Sequence, residues 1–385
     1  MHEAVIVEAV RTPVGRAHPT KGIYRDVRAD DLSAFAIFEL LRRANIPAEL
    51  IDDVYWGCVR QTEEQGYNIA RQALLIAGLP LEIGGVTINR NCGSSLQAIN
   101  QSAQSIRAEC DEILIAGGVE HMHHLPMGEG FDPSPKLLER HSRDVFNMGL
   151  TAETLAQKYK ISREEQDAFA LRSHERATVA TDNGEFHRET LCVPGKDEKG
   201  EERVFTKDQC VRRDTSLSAL SALPPVFLPG GTVTAGNSSP INVGAAAVLI
   251  MSEEKAKSLG LKPKVKVRSM AAVGVDPAVM GIGPVTATQK ALKRAGLTLA
   301  DIDVIELNEA FAAQALAVIK LLGADSEKVN VRGGAIAIGH ALGSSGARIA
   351  TTLMNIMTDR RAEFGLATMC IGGGQGIATV FENVS

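Results

Sequence analysis

The chain has 385 residues, 44% of them hydrophobic and 23% charged, an ordinary globular composition with room for two or three domains or one large duplicated domain. Its formal net charge of −5 argues against nucleic acid as the main partner, because nucleic-acid-binding domains carry a basic surface. No apolar run approaches the roughly 18 residues that a membrane-spanning helix needs, so we expect no transmembrane segment.

The six cysteines indicate a reducing compartment. They form no CxxC pair and show no spacing typical of metal ligands. Scattered cysteines fit reduced thiols better than a disulfide framework, which is typical of small secreted domains. The first residues also lack a basic segment followed by an apolar one, so we expect no signal peptide and a cytoplasmic location.

The first third of the chain alternates predicted strands with predicted helices. Apolar residues at helical spacing predict helices over residues 31–44 and 68–77. Short β-branched and aliphatic runs predict strands over residues 4–7, 53–57, 86–89 and 113–118. Strands and helices alternating at these lengths indicate a layered α/β core.

Cys92 lies between the predicted strand 86–89 and a helical pattern over residues 96–106. It is therefore predicted at a sharp strand-to-helix turn, which Gly93 makes easier. The free N–H groups and positive dipole end of the helix favour a thiolate, so we expect the thiol pKa, ordinarily about 8.5, to fall toward or below neutrality. Cys92 is thus a candidate nucleophile, and a buried structural cysteine is the alternative.

The region after residue 119 differs in sequence pattern from the first third, because it contains few long apolar strands. It contains predicted helices over 151–159 and 164–183, and Ser162 with Glu165 forms a capping box that opens the second helix. We interpret it as an inserted loop domain that covers the core. The predicted domains are an N-terminal half formed by residues 1–119 and 240–253, the inserted loop domain 120–239, and a C-terminal half 254–385.

The C-terminal third repeats the order of the first third. Three pairs of segments correspond: residues 41–54 with 292–304, the Cys92 unit with residues 329–345 and the helix after them, and residues 113–118 with 366–372. The correspondence predicts two similar α/β halves that face each other with a site between them. Chance similarity of short helix and strand sequences is the alternative.

Three further stretches carry reactive side chains. His340 lies in a glycine-rich stretch before a helix, Asn308 follows the predicted strand 304–307 and opens a helix to residue 320, and Cys370 ends a strand before the glycine turn 372–376. The structural alternatives are a histidine in a loop for His340, a helix N-cap for Asn308, a core cysteine for Cys370 and a hairpin for the glycine turn. Together with Cys92 they lie at the ends of core elements, where α/β proteins form their sites.

A cluster of histidines suggests a metal site. His121, His123 and His124 are close in sequence, but the chain offers no other ligand at a spacing that zinc sites use. We therefore expect no metal.

Six stretches together resemble the thiolase family, and within it the branch that serves bacterial fatty-acid oxidation as acetyl-CoA C-acyltransferases. The stretches are residues 91–95, 117–122, 234–239, 308–311, 339–346 and 370–376. They follow the family's order and span nearly the full chain. The resemblance implies an α/β fold with a duplicated five-layer αβαβα core and an inserted loop domain.

The resemblance also implies a role for each site residue. Cys92 would carry the acyl group as a thioester, and His340 would take its proton and help to hold the thioester oxygen. Cys370 would be the acid/base at the carbon next to the thioester carbonyl. Asn308 would position a water that forms one oxyanion hole with His340, and the backbone N–H groups of Cys92 and Gly372 would form the other. The implied lining of the CoA channel is Arg212, Phe227, Ser239, Met280 and Phe311.

The implied activity is CoA-dependent cleavage of 3-ketoacyl-CoA to acetyl-CoA and a shortened acyl-CoA, the last step of fatty-acid β-oxidation, with ping-pong kinetics. CoA would be a co-substrate, with no permanently bound cofactor. The implied assembly is a homodimer or homotetramer, with a multifunctional hydratase-dehydrogenase subunit as a further partner. The alternatives are an acetyltransferase that condenses two acetyl-CoA, a ketoacyl synthase, which would pair its cysteine with two histidines, and a non-catalytic acyl-CoA- or lipid-binding relative.

Three positions bear on how far the resemblance extends. Ala341 stands where the family usually has proline, so we expect His340 to be held less rigidly. Val243 replaces a usual aspartate, which puts a local loop hydrogen bond in doubt. Asn147 precedes Met148 and Gly149, where relatives that prefer acetoacetyl-CoA have histidine, and this favours longer 3-ketoacyl-CoA substrates.

Overall fold

Twelve strands and twelve α-helices form the described part of the computed structural model, residues 2–384. The strands are β1 (Ala4–Arg11), β2 (Gly15–Arg16), β3 (Asp53–Gly57), β4 (Val86–Ile88), β5 (Ile113–His121), β6 (Val193–Lys196), β7 (Glu202–Phe205), β8 (Asn242–Ser252), β9 (Val265–Gly274), β10 (Val304–Leu307), β11 (Phe364–Ile371) and β12 (Gln375–Asn383).

The helices are α1 (Ala29–Ala44), α2 (Ile69–Ile76), α3 (Ser94–Arg107), α4 (Pro135–Leu138), α5 (Met148–Tyr159), α6 (Arg163–Asp182), α7 (Leu217–Ser221), α8 (Glu253–Ser258), α9 (Gly283–Ala295), α10 (Ala312–Leu322), α11 (Ala335–Ile338) and α12 (Ser345–Arg360). Short 3₁₀ helices lie at Ala48–Leu50, Glu63–Gln65, Arg143–Phe146, Pro277–Ile282, Leu299–Asp301 and Leu342–Ser344. Within residues 2–384 we find no helix that combines the length and apolar character needed to cross a membrane.

Ten of the strands form one mixed sheet in the order β10-β11-β12-β9-β1-β8-β5-β3-β4, with β2 paired to β8. In the first half β3 pairs with β4 and β5 in parallel, and β8 pairs with β5 and β1 in antiparallel fashion. In the second half β10 and β11 are parallel, and β12 is antiparallel to β11 and β9. Strands β1 and β9 join the halves through the pairs Val5 with Lys266 and Ile6 with Val265.

The two halves have the same strand order. Strands β1, β3, β5 and β8 correspond to β9, β10, β11 and β12, and a parallel bridge between Ile305 and Val329 lies where β4 pairs with β3. The predicted duplicated α/β core is therefore present. The predicted domain limits stay a prediction.

Helices and sheet halves form five layers. Helices α1 and α2 cover the first half on one side, α9 and α10 cover the second half, and α3 packs against α12 between the two. The central core includes the fully buried Leu96 and Ile99 of α3 and Leu353 and Met357 of α12. Because α12 is enclosed by both halves, its residues are buried from Ser345 to Met357.

The inserted region contains the predicted helices and little sheet. The capping box of Ser162 and Glu165 is confirmed at the start of α6, and a two-stranded hairpin of β6 and β7 follows. The predicted glycine hairpin between β11 and β12 is also confirmed. The interpretation of Asn308 as a helix N-cap is wrong, because α10 begins at Ala312 and is capped by Phe311.

A buried ion-pair cluster fastens the inserted region to the core. Arg11 donates to Glu189 Oε1 at 2.6 Å and to both carboxylate oxygens of Asp208, at 2.7 and 2.9 Å. Burial alone would lower the Arg11 pKa, but the two carboxylates outweigh it and raise the pKa. Glu189 also accepts from Thr352 and Asn355 of α12, so the cluster ties β1, the inserted region and the central layer together.

We predict that Asp208→Asn lowers the free energy of unfolding by about 3 kcal/mol, because it leaves the buried Arg11 without full compensation. The matched control is Asp182→Asn, which removes a two-oxygen contact to Arg213 of the same geometry on the surface. The control should leave the urea midpoint almost unchanged. Equal midpoints for the two variants would contradict this account of the cluster.

Candidate active site

One cavity of about 620 Å³ collects most of the predicted site residues. Its lining includes Cys92, His340, Cys370 and Gly372 together with the four predicted channel residues Phe227, Ser239, Met280 and Phe311. Sequence reasoning missed Phe146, Val226, Ile241 and Leu342 of its apolar wall, which also includes Met122, Met127 and Met148. The missed residues come mainly from loops, so no periodic pattern marked them in advance.

The turn that carries Cys92 is closed by local hydrogen bonds. Asn91 has a left-handed backbone with φ of 44°, and its carbonyl accepts from the Ser94 hydroxyl at 2.6 Å. The same hydroxyl accepts from the backbone N–H of Arg90 at 2.9 Å. Helix α3 begins at Ser94 with Gly93 as its N-cap, so Cys92 lies just outside the helix, at the predicted sharp turn.

The expectation that the Cys92 pKa falls toward neutrality is wrong. Burial raises the Cys92 pKa to about 11, and the backbone groups of Gly372 and Cys92 lower it only in part. The free thiol is more stable than the thiolate here, because the desolvation of the charged form outweighs the nearby N–H donors. Cys92 therefore needs a base to become a nucleophile at neutral pH.

His340 is such a base, and its hydrogen bonds define which nitrogen can accept a proton. The Ser345 hydroxyl lies 2.8 Å from the Ala341 carbonyl and 2.6 Å from His340 Nδ1, and donation to the carbonyl leaves its lone pair to accept from the Nδ1 N–H. In this arrangement Nδ1 carries the ring proton, and the Nε2 lone pair, which lies 3.4 Å from Asn308 Nδ2, can accept a proton. Burial, with a contribution from Arg348, lowers the His340 pKa to about 3, so the ring is neutral at rest.

The loop that carries His340 has Ala341 where the resemblance implies proline, and hydrogen bonds hold this loop. The His340 backbone N–H donates to Asn242 Oδ1 at 2.8 Å, and the Gly343 N–H donates to Glu120 Oε2 at 3.0 Å. The Gly343 carbonyl lies so close to Gly57 and Gly118 that a Cβ at either position would approach it within 2.8 and 2.3 Å. These contacts restrain the His340 loop and so offset the loss of rigidity that we expected from Ala341.

Val243 needs no polar partner in its position. It lies in β8, opposite Gly15 of β2 and His121 of β5, and its side chain is buried in the apolar core of the first half. Val243 therefore contributes apolar packing at this position.

Asn308 lies behind the cavity and reaches His340. Its Nδ2 is 3.4 Å from His340 Nε2, and its own backbone N–H donates to Thr368 of β11. Its buried Oδ1 has no donor among the described protein groups. The side chain thus offers an acceptor next to the basic nitrogen of His340.

Cys370 faces the same cavity from the second half. It lies in β11 opposite Gly376 and packs with Met280 and Ala310. Burial raises its pKa, and the neighbouring Cys92 raises it further. A neutral thiol in this position can give up a proton to a strong base such as a carbanion.

Arg212 lies outside this cavity. It lines a small neighbouring cavity of about 40 Å³ with Arg16, His174 and Cys210. Ser238 and Pro240 line both cavities and separate Arg212 from the catalytic side chains. Its role toward CoA stays a prediction.

Two aromatic rings of the cavity lining contact each other. Phe227 and Phe311 meet edge to face, with ring centroids 5.9 Å apart and planes at 83°. Both were predicted channel residues, and both line the cavity together with Met280.

The histidine cluster is accounted for by hydrogen bonds. Among the described residues, Glu64, His121 and His124 form the one group whose geometry could hold a metal ion. His121 Nδ1 accepts from the His124 N–H, and its Nε2 lies 3.0 Å from the Tyr24 carbonyl, so both ring nitrogens are engaged. His124 lies between Glu64 Oε1 and the Arg25 carbonyl. The expectation of no metal stays a prediction.

Comparison with known families gives matches along the whole fold. The sequence pattern described as Thiolase, N-terminal domain matches residues 4–254, and the pattern described as Thiolase, C-terminal domain matches residues 261–383. The chain is 54% identical over 389 residues to a 3-ketoacyl-CoA thiolase of Aeromonas salmonicida, with 100% of both chains covered. A 3-ketoacyl-CoA thiolase of Salmonella typhimurium has the same identity and coverage.

Solved structures resemble the fold equally well. Human mitochondrial 3-ketoacyl-CoA thiolase superimposes with a TM-score of 0.91 at 40% identity, covering 100% of this chain and 99% of that one. The acetyl-CoA acetyltransferase of Bacillus anthracis gives a TM-score of 0.91 at 39% identity with the same coverage.

The raised pKa of Cys92 determines how the rate of its alkylation should depend on pH. Because the thiolate is the reactive form, alkylation of Cys92 by iodoacetamide should rise about tenfold per pH unit through the neutral range. It should not level off below about pH 10, since the pKa is about 11. Mass spectrometry of the Cys92 peptide measures the rate of alkylation. Alkylation of the exposed Cys110 in the same samples shows that the reagent is active. A plateau near pH 7 would contradict the assignment.

Proposed function

The chain belongs to the thiolase family, and from that premise we propose that it cleaves 3-ketoacyl-CoA with CoA, giving acetyl-CoA and a shortened acyl-CoA. The observation that carries the proposal is the meeting of Cys92, His340 and Cys370 in one largely apolar cavity. No step of this reaction needs a group beyond these side chains and the two substrates.

The first half of the reaction transfers the acyl group to the protein. His340 Nε2 accepts the Cys92 proton, and the sulphur attacks the 3-keto carbon. When the bond between carbons 2 and 3 breaks, the acyl group remains on Cys92 and the electron pair leaves with acetyl-CoA. The Cys370 thiol then donates a proton to carbon 2, which completes acetyl-CoA and leaves a Cys370 thiolate.

The second half returns every group to its starting state. CoA enters and gives its thiol proton to Cys370. The CoA thiolate attacks the thioester, and the shortened acyl-CoA leaves as Cys92 takes back its proton from His340. Because acetyl-CoA leaves before CoA enters, the kinetics are ping-pong.

Both half-reactions place negative charge on the substrate oxygen that lies at the Cys92 turn. The backbone N–H groups of Cys92 and Gly372 are suited to hold this oxyanion, and fixed donors of this kind contribute on the order of 3 kcal/mol each. Asn308 Oδ1 can accept from a water that, with protonated His340, holds the thioester oxygen of the acetyl-CoA enolate. These roles follow the family resemblance, and the short distance between Asn308 and His340 supports them.

The apolar wall supports a substrate longer than four carbons. Met122, Met127 and Phe146 come from the inserted region, Ile241 directly precedes β8, and Leu342 belongs to the loop that carries His340. Such a wall suits a hydrocarbon chain, whose burial contributes about 0.8 kcal/mol per methylene. The likeness to an acetyl-CoA acetyltransferase favours a second candidate, condensation of two acetyl-CoA by the reverse chemistry.

We propose that CoA is a co-substrate and that no cofactor is permanently bound, with the cytoplasm as the site of action.

An exposed sheet edge supports a homodimer or homotetramer. Strand β4 ends the sheet, Val86 is 41% exposed, and the adjoining Tyr67 is 97% exposed. Unpaired edges are usually covered, and a second copy of this chain would cover this one. A hydratase-dehydrogenase subunit remains the proposed further partner, to be sought by native-level purification with light scattering.

The activity test is the loss of absorbance of the magnesium-complexed 3-ketoacyl-CoA enolate on addition of CoA. We predict a CoA-dependent loss with four-carbon and sixteen-carbon substrates, faster with the longer one, and a fall of at least about a thousandfold in Cys92→Ser. A strong preference for the four-carbon substrate would favour the acetyltransferase. CoA binding without any thiolysis would favour a non-catalytic binding protein.

Ser345 offers a sharper test of the role of His340. We predict that Ser345→Ala lowers kcat by about ten- to a hundredfold with little change in KM, because the ring loses the contact that keeps the proton on Nδ1. The matched control is Ser344→Ala, since Ser344 donates to the same Ala341 carbonyl without contacting His340. Equal losses in the two variants would assign the effect to the loop rather than to the imidazole.

A further inference from the structure

One proposed oxyanion donor lies on a turn with little stiffness of its own. Gly372, Gly373 and Gly374 join β11 to β12, and the last two have left-handed backbones with φ of 80° and 82°. A Cβ at Gly373 would meet nothing within 4 Å, so one side of the turn is open. Glycine runs have many accessible conformations, and the Gly372 N–H needs an external restraint to hold one direction.

Asn91 supplies a restraint at the start of the turn. Its Nδ2 donates to the Gly372 carbonyl at 3.0 Å. A carbonyl oxygen can only accept, so the amide must present its NH₂ group here. The contact fixes the orientation of Gly372 just beyond the final ladder pair, Ile371 with Gln375.

The far end of the turn has restraints of its own. The Gly374 carbonyl accepts from the Val275 N–H at 2.7 Å, and Arg90 Nη1 donates to Gln375 Oε1 at 3.1 Å. Arg90 and Asn91, the two residues before Cys92, therefore reach opposite ends of the same turn.

Asn91 is itself held on both sides. Its backbone N–H donates to Asn89 Oδ1 at 2.9 Å, and its carbonyl accepts from the N–H of Ser94 at 3.0 Å as well as from the Ser94 hydroxyl. Its φ of 44° lies in the region where asparagine is one of the few favoured residues. The Asn91 side chain thus extends from a backbone that hydrogen bonds hold on both sides.

We propose that Asn91 is a positioning residue that aligns the Gly372 N–H with the Cys92 N–H, so that both donors point at one oxyanion. Its part in turnover rests on the proposed function. The effect of Asn91 on the Cys92 thiol does not rest on the proposed function, because the backbone of Gly372 also lowers the pKa of that thiol. Releasing Gly372 should therefore make the thiolate less stable even without substrate.

Two variants of Asn91 test the proposal. Asn91→Asp keeps the shape and the left-handed preference but replaces the donor with an acceptor, and Asn91→Gly keeps the backbone while removing the side chain. In both we expect kcat to fall about ten- to a hundredfold with KM for 3-ketoacyl-CoA within about twofold, as befits a displaced transition-state donor. The pH profile of Cys92 alkylation should shift upward by about half a unit or more.

Arg90→Ala is the control, because it loosens the far end of the turn and leaves the Gly372 contact intact. It should keep kcat within about threefold of wild type and leave the alkylation profile in place. If folded Asn91→Asp and Asn91→Gly match wild type in both kcat and alkylation profile, the proposal is overturned. If wild type shows no turnover, the proposed function has failed, and the alkylation profile alone decides: an upward shift in both variants supports the positioning role, and an unchanged profile overturns it.

Discussion

Enclosure of three reactive side chains in one cavity where the two sheet halves meet is the constraint on which the rest of the site depends. Cys92 comes from the first half, and His340 and Cys370 come from the second. They can meet because α3 and α12 pack directly on each other and because the Gly343 loop lies at backbone contact with Gly57 and Gly118. A side chain at either glycine would push the halves apart.

The same burial sets the electrostatics of the site. It raises the pKa of both thiols and lowers that of His340, so all three groups are neutral at rest. A neutral site lets an acyl chain enter a largely apolar cavity without meeting an unpaired charge. Charge then arises only during the proposed reaction, by proton transfer from Cys92 to His340, and the surrounding dipoles are already in place.

Sequence reasoning selected Cys92, His340 and Cys370, which the structure brings to one cavity, because glycines and short strands mark the ends of elements. The repeat of these units predicted the duplicated core. Sequence reasoning failed where the answer depended on distant neighbours. The thiol pKa followed burial rather than the helix end, and Arg212 lies behind Ser238 and Pro240. The Ser345 contact that assigns the His340 proton needs a three-dimensional turn, which no spacing rule specifies.

The most direct test of the account is a rapid-quench experiment with 3-ketooctanoyl-CoA and no added CoA. We expect a burst of one acetyl-CoA per site and a six-carbon acyl group on the Cys92 peptide, identified by mass spectrometry. Adding CoA should then release the acyl group as hexanoyl-CoA. An acyl group on any other residue, or acetyl-CoA release only when CoA is present from the start, would contradict a covalent route through Cys92.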